Sequence, residues 1–131
     1  MEYSKEDIER IVQRIAFAVN RNDYTVETNE NRQKNNDFRD KYGIKSEWLK
    51  NALLDLRVDD FSATVQNVKP GYEDEKLHIF GPKYQLYQAG EESAEEVVAY
   101  VKVNIIGRSI DDYVVVVSFH EAEQAMDYAF K

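Results

Sequence analysis

The chain has 131 residues, the length of one domain (residues 1–131), and its 43% apolar and 12% aromatic content exclude a disordered chain. It has no cysteine and two histidines, which excludes disulfides, thiolate metal sites and a histidine-rich metal cage. The net charge of −8 lies in the second half, since residues 1–57 carry eleven basic and eleven acidic side chains and residues 58–131 carry six and fourteen. This charge balance is unlike that of nucleic-acid-binding proteins, which normally present a basic stripe. Neither a metal nor a cofactor is expected.

The first half of the sequence predicts helices. Ser4, with Asp7 three residues later, forms a capping-box pattern before apolar residues spaced by three and four, which predicts a helix of about four turns. After a short extended piece in "DYTVET", the segment "ENRQKNNDFRDKYGI" predicts a second helix ending at Gly43, and Ser46 can cap a third in "EWLKNALLDL". We find neither a basic leader with an apolar run nor eighteen consecutive apolar residues, so we expect a cytoplasmic protein with no membrane contact.

The second half predicts strands. Pro70 and Gly71 mark a turn, after which "LHIFGPKYQLY" is strand-like but interrupted by "GP", which indicates a bulge or an edge position because proline cannot donate to a ladder. The two strongest strands, "EEVVAYVKVNII" and "DYVVVVSF", are joined by "GRSIDD" and predict an antiparallel hairpin. Helices followed by strands predict an α+β fold, with two to three N-terminal helices packed on one face of a small antiparallel sheet of three to four strands.

Alternation along the last two strands brings a few polar side chains onto one face. Tyr100 and Lys102 share the polar row of the first strand, and Ser118 and His120 end the matching row of the second. A six-residue loop gives the wrong parity for this match, so the sequence predicts either an odd loop or a β-bulge. A ladder that paired Tyr100 directly with Phe119 would separate these groups.

Four segments, "ALLDLRVDDF", "LHIFGPKY", "AYVKVNI" and "VVVVSFHEAE", follow one another in the order and spacing seen in a known family. In this the chain resembles the MqsR-like toxins, a branch of the RelE/ParE-type messenger-RNA interferases, over roughly residues 44–124. The resemblance implies a RelE-like α+β domain that cleaves RNA on its sheet face, an endoribonuclease toxin of a toxin–antitoxin system held inactive by a cognate antitoxin.

The resemblance carries over to three candidate catalytic residues. The tyrosine of the family's Tyr-x-Lys strand falls on Tyr100, followed by Lys102, and the family's basic residue after Ser-Phe falls on His120, where histidine replaces lysine. Metal-independent RNA cleavage needs a base for the 2′-hydroxyl, a cation for the phosphorane and an acid for the leaving oxygen. His120, Lys102 and Tyr100 can fill these roles in that order. A histidine at a strand end is, however, often a structural group, and Tyr100 can simply cover the sheet.

The second predicted helix offers cations for RNA phosphates. Arg32, Lys34 and Arg39 all lie in its mixed-charge segment "NENRQKNNDFRDK". In an RNA-cleaving enzyme these side chains would contact the RNA backbone. The alternative is a solvated helix face with no ligand.

Two of the family's positions are lost in this chain and leave a second function open. They fall near Ala63 and Gly81, and Lys83 is the only nearby substitute, as a second cation at the catalytic site. Without these groups the same scaffold can be an inactive acidic binding protein of a phage or mobile-element type. Its partner would then be a basic nucleic-acid-binding enzyme such as a nuclease, which the acidic loops would inhibit.

Overall fold

The computed structural model describes residues 3–29, 32–107 and 111–131. Residues 30–31, in the segment of the predicted second helix, and residues 108–110, in the predicted "GRSIDD" loop, lie outside this description. The described residues form three α-helices, one 3₁₀ turn and six strands. In chain order the elements are α1 (Lys5–Asn20), β1 (Tyr24–Val26), α2 (Gln33–Tyr42), α3 (Ser46–Leu54), the 3₁₀ turn (Val58–Asp60), β2 (Phe61–Gln66), β3 (Lys76–Phe80), β4 (Lys83–Leu86), β5 (Glu95–Ile106) and β6 (Tyr113–Glu121).

The helix ends follow the predicted signals at two of three positions. Ser4 and Asp7 form the reciprocal capping box of α1, in which the Ser4 hydroxyl accepts from the Asp7 N–H. Gly43 ends α2 with a φ of 60°, a left-handed conformation that glycine adopts without steric cost. The predicted cap at Ser46 is wrong, because this residue is the first of α3 and its hydroxyl accepts a hydrogen bond from Arg39 instead.

The predicted sheet of three to four antiparallel strands is wrong, although the α+β class is right. The sheet described here has six strands in the order β1-β6-β5-β3-β2, with β4 also paired to β5, and β1 runs parallel to β6. The RelE-like sheet expected from the resemblance is therefore not the one observed. The prediction failed at the sheet edges: β1 has only three residues, and β2 mixes serine, threonine and glutamine with its apolar residues.

The "GP" interruption falls between β3 and β4, which both pair antiparallel with β5. Pro82 has no N–H to donate, and it joins β5 through its carbonyl, which accepts from the Ala99 N–H at 2.9 Å. At Gly81 a side chain would require the C-terminal segment to adjust, since a Cβ would lie 2.9 Å from the Tyr128 hydroxyl oxygen. The sequence correctly places a break in the strand at this point.

The core lies between the helices and one face of the sheet. Val101 and Val103 of β5 are fully buried on this face, and Phe119 of β6 is 1% exposed. The Phe119 ring lies 5.8 Å from that of Phe38 in α2 and 6.1 Å from that of Trp48 in α3. These contacts fix both helices on the same side of the hairpin. Among the described helices, none has the length and apolar character to cross a bilayer.

Candidate functional site

A cleft of about 790 Å³ opens on the face of the sheet that points away from the helical core. Three parts of the chain line it: the sheet, the start of α2 and the segment after β6. The lining side chains from the sheet are Ser62, Ile79, Tyr100, Lys102, Ser118 and His120, and those from around α2 are Arg32, Gln33, Lys34 and Asn35. Residues 122–127 form the remaining wall.

The register of the final hairpin brings the predicted polar groups together. The β5–β6 ladder shifts by one residue at Val117, which has no partner on β5. Beyond this bulge Tyr100 lies directly opposite His120, and Lys102 lies opposite Ser118. The predicted bulge is confirmed, and the four side chains share the face of the cleft.

Tyr100 and His120 lie against each other in the cleft. Their rings stack with centroids 5.4 Å apart and planes 18° apart. The His120 Nδ1 lies 2.9 Å from the Glu121 carbonyl oxygen, which can only accept, so Nδ1 carries the hydrogen and Nε2 of the neutral ring is open to a proton. Burial raises the pKa of Tyr100, so its hydroxyl stays protonated at neutral pH. The pair thus offers one proton acceptor and one proton donor.

Lys102 and Ser118 provide anion-binding groups beside this pair. Burial and, secondarily, the charge of Arg32 lower the pKa of Lys102, whose ammonium forms no ion pair with any described residue. Ser118 is 5% exposed, and its hydroxyl has no hydrogen-bond partner in the described part of the chain. A half-buried cation without a carboxylate partner and a hydroxyl without a protein acceptor together favour an anionic ligand.

The predicted RNA-binding residues of α2 divide into two groups. Arg32 and Lys34 line the cleft, with the Arg32 Nε 3.9 Å from a Glu27 carboxylate oxygen and the Lys34 ammonium ion-paired to Glu123 in the opposite wall. Arg39 lies outside the cleft and donates to the Ser46 hydroxyl at 3.2 Å. The structure therefore brings two of the three cations to the site.

Lys83, the predicted second cation, does not line the cleft. Its ammonium lies 5.9 Å from the centre of the Tyr128 ring, and Lys83 is absent from the residues that line the cleft. It therefore does not replace the family groups missing at Ala63 and Gly81. A catalytic role of Lys83 has no geometric support here.

The sequence did not predict the wall formed by the C-terminal segment. This segment crosses the end of the sheet, where the Ala122 N–H donates to the Val98 carbonyl at 2.8 Å and the Ala129 N–H to the Phe61 carbonyl at 3.1 Å. It has no helical or strand period, so its aromatic residues were the available signal. Asn35, a buried polar residue of α2, was also missed.

Other known proteins do not identify this site. The described residues include no group of three or more histidine, aspartate or glutamate side chains arranged to hold a metal ion. No protein-family model, curated protein or solved structure matches the chain. The resemblance to MqsR-like toxins stays a prediction from the sequence.

Proposed function

We propose that the cleft is the active site of a metal-independent endoribonuclease. The observation that supports this most is the arrangement of Tyr100, Lys102, Ser118 and His120 on one face, where a proton acceptor, a proton donor and an unpaired cation meet in one cleft. These are the groups that cleavage of RNA through its own 2′-hydroxyl requires.

The reaction can be written with these side chains alone. The Nε2 of His120 takes the proton of a ribose 2′-hydroxyl, and the oxygen attacks the adjacent phosphorus. Lys102 offsets the additional negative charge of the phosphorane, and the Ser118 hydroxyl donates to one of its oxygens. The Tyr100 hydroxyl gives its proton to the departing 5′-oxygen. The P–O5′ bond breaks as the P–O2′ bond forms, which leaves a 2′,3′-cyclic phosphate and a 5′-hydroxyl.

Arg32 and Lys34 extend the site toward the RNA backbone. They lie on the α2 side of the cleft, where a strand bound across Lys102 would place its neighbouring phosphates. Lys34 must exchange its Glu123 partner for a phosphate when RNA binds. From the resemblance, we include a cognate antitoxin as the partner that would block this cleft in the cytoplasm.

A second function, an inactive acidic protein that binds a basic nuclease, is favoured by one observation. Carboxylates already pair with two cations of α2, since Glu123 pairs with Lys34 and Glu121 with Lys41. This leaves α2 less basic than its count of lysines indicates, and the family groups at Ala63 and Gly81 are absent. Such a surface fits a basic protein better than it fits RNA.

Cleavage of a mixed-sequence RNA by the purified protein in EDTA tests the proposal. We expect cleavage by the wild type and by Lys83→Ala, and a loss of at least a hundredfold in His120→Ala, in the range of general acid–base catalysis. Equal cleavage by wild type and His120→Ala would remove His120 from the mechanism. If none of the three proteins cleaves RNA, the enzyme proposal fails, and binding to a basic nuclease becomes the function to test.

A further inference from the structure

Asn35 is a buried polar residue on the core side of α2. It is 1% exposed and lies on the same helix face as Phe38 and Tyr42, which are also buried. Its amide is nevertheless fully engaged with the backbone. The Nδ2 donates to the Glu27 carbonyl at 2.9 Å and to the Val117 carbonyl at 3.1 Å, and the Oδ1 accepts from the Phe119 N–H at 2.8 Å.

These contacts lie where β6 loses its neighbouring strand. On its outer edge β6 pairs with β1 as far as Val26, and the next N–H, that of Glu27, donates to the Val116 carbonyl at 3.0 Å. The chain then turns away, and the bulge at Val117 leaves backbone groups of β6 facing α2 without a strand beside them. A buried backbone group without a partner costs about 1–3 kcal/mol. The Asn35 amide takes the place of the missing strand.

The valine run does not by itself decide where the bulge lies. A six-residue loop between Ile106 and Tyr113 requires one extra residue in β6 before Ser118. Val114–Val117 can supply it at several positions, because valine is equally suited to either face of the sheet. Hydrophobic patterning alone therefore permits the bulge to move along the run, with a different ladder for each position.

We infer that Asn35 is a positioning residue that holds the bulge at Val117 and so fixes the strand end that carries Ser118 and His120. It is the side chain that bonds both backbone groups flanking Ser118. The inference rests on these contacts and not on the proposed RNA cleavage. It therefore holds or fails independently of whether the protein is an enzyme.

NMR of the full chain tests this inference without an activity assay. In Asn35→Leu we expect the nuclear Overhauser contact between the Tyr100 and His120 rings to weaken and broaden, as β6 exchanges between bulge positions. Hydrogen exchange at the Phe119 amide should become at least tenfold faster, because its acceptor is gone. Asn36→Leu is the matched control, since this partly exposed neighbour bonds the Thr28 carbonyl and no group of β6, and it should leave both signals unchanged.

Deletion of Val117 separates positioning from general destabilisation. Without the extra residue the ladder continues regularly, so His120 remains opposite Tyr100 and no bulge needs to be held. In this background Asn35→Leu should no longer disturb the ring contact. If Asn35→Leu alone does not fold, recovery of the fold and of the ring contact in the double variant supports the inference, and failure to recover overturns it. An Asn35→Leu protein that folds with an unchanged ring contact and Phe119 protection also overturns it.

Discussion

The two faces of the β5–β6 hairpin differ completely although they alternate along the same strands. On the helix side Val101, Val103 and Phe119 are at most 1% exposed, and their neighbours are valines and aromatic rings. On the cleft side the intervening positions hold titratable and hydroxyl groups, among them Lys102 and His120, that line open space. The comparison shows that one face of the strands supplies stability, which leaves the other free to carry chemistry.

The two histidines show the same difference between the two faces of the sheet. His78 lies on the helix side, 7% exposed, with its Nδ1 2.8 Å from the Thr64 hydroxyl and its ring edge-on to Tyr3. Burial and, to a smaller extent, the charge of Arg14 lower the pKa of His78 to about 4. His120 lies in the cleft beside Tyr100. His78 is therefore a structural group, whereas His120 is the histidine that the proposed reaction uses.

The largest expected effect is a difference in the free energy of unfolding between substitutions of two adjacent residues that lie on opposite faces. Phe119→Ala should lower the free energy of unfolding by about 3–5 kcal/mol, because it removes a ring that packs against both α2 and α3. Ser118→Ala should change it by less than about 1 kcal/mol, since its hydroxyl has no partner to lose in the described residues. Urea denaturation measures both, and similar losses in the two variants would contradict the division between the faces.

The next largest effect is the pH dependence caused by His78. Between pH 6.5 and about 4 the unfolded chain binds a proton at this residue and the folded chain does not, so stability falls as pH falls through this window. The loss attributable to His78 should reach about 3 kcal/mol near pH 4. Urea denaturation from pH 7 to pH 4 should show a shallower decline for His78→Gln than for the wild type. Identical slopes would show that His78 does not remain neutral in the fold.

A smaller effect is expected on oligonucleotide binding, where a lysine inside the cleft can be compared with a lysine outside it. Lys102→Met should weaken the binding of a short single-stranded oligonucleotide about tenfold, because the cleft loses a cation that has no carboxylate partner. Lys83→Met removes the same charge outside the cleft and should change affinity by less than about twofold. Fluorescence anisotropy at fixed salt measures both. Equal weakening would mean that general charge, and not the cleft, binds the oligonucleotide.

The smallest effect concerns the wall formed by the C-terminal segment. Glu123→Gln should leave stability unchanged within error, because its ion pair with Lys34 is exposed on both sides. Oligonucleotide affinity should nevertheless rise severalfold, since Lys34 no longer has to leave a carboxylate. Glu92→Gln makes the same change in net charge on an exposed loop and should not alter affinity. If both variants bind equally well, the Lys34–Glu123 pair has no part in ligand binding.

The sequence predicted the parts of the fold that depend on local patterns. The capping box at Ser4, the helix end at Gly43 and the strand break at Gly81 all follow from the conformational preferences of single residues. The pairing of β1 with β6 could not be predicted in this way, because it is a parallel contact between distant segments and β1 has only three residues. The short, mixed-polarity strand β2 was missed for a related reason.

The sequence likewise predicted only part of the candidate site. A shared face for Tyr100 and His120 required a bulge or an odd loop, and the bulge is present. The sequence could not say what holds the bulge, because the Asn35 amide acts through backbone groups more than eighty residues away. An asparagine at an apolar position of a helical period, in line with Phe38 and Tyr42, was the one available signal. The placement of Lys83 and Arg39 outside the cleft likewise depends on tertiary packing.

The chemistry of the cleavage products tests the central claim, that the polar groups of the cleft face cut RNA through its 2′-hydroxyl, most directly. A defined RNA oligonucleotide is incubated with the protein in EDTA, beside the same oligonucleotide with a single 2′-deoxy nucleotide at the cleaved position, and the ends are identified by mass spectrometry. We predict 2′,3′-cyclic phosphate and 5′-hydroxyl ends from the all-ribose RNA and no cleavage at the 2′-deoxy position. Cleavage at the 2′-deoxy position, 5′-phosphate ends, or no cleavage of either oligonucleotide would contradict the claim.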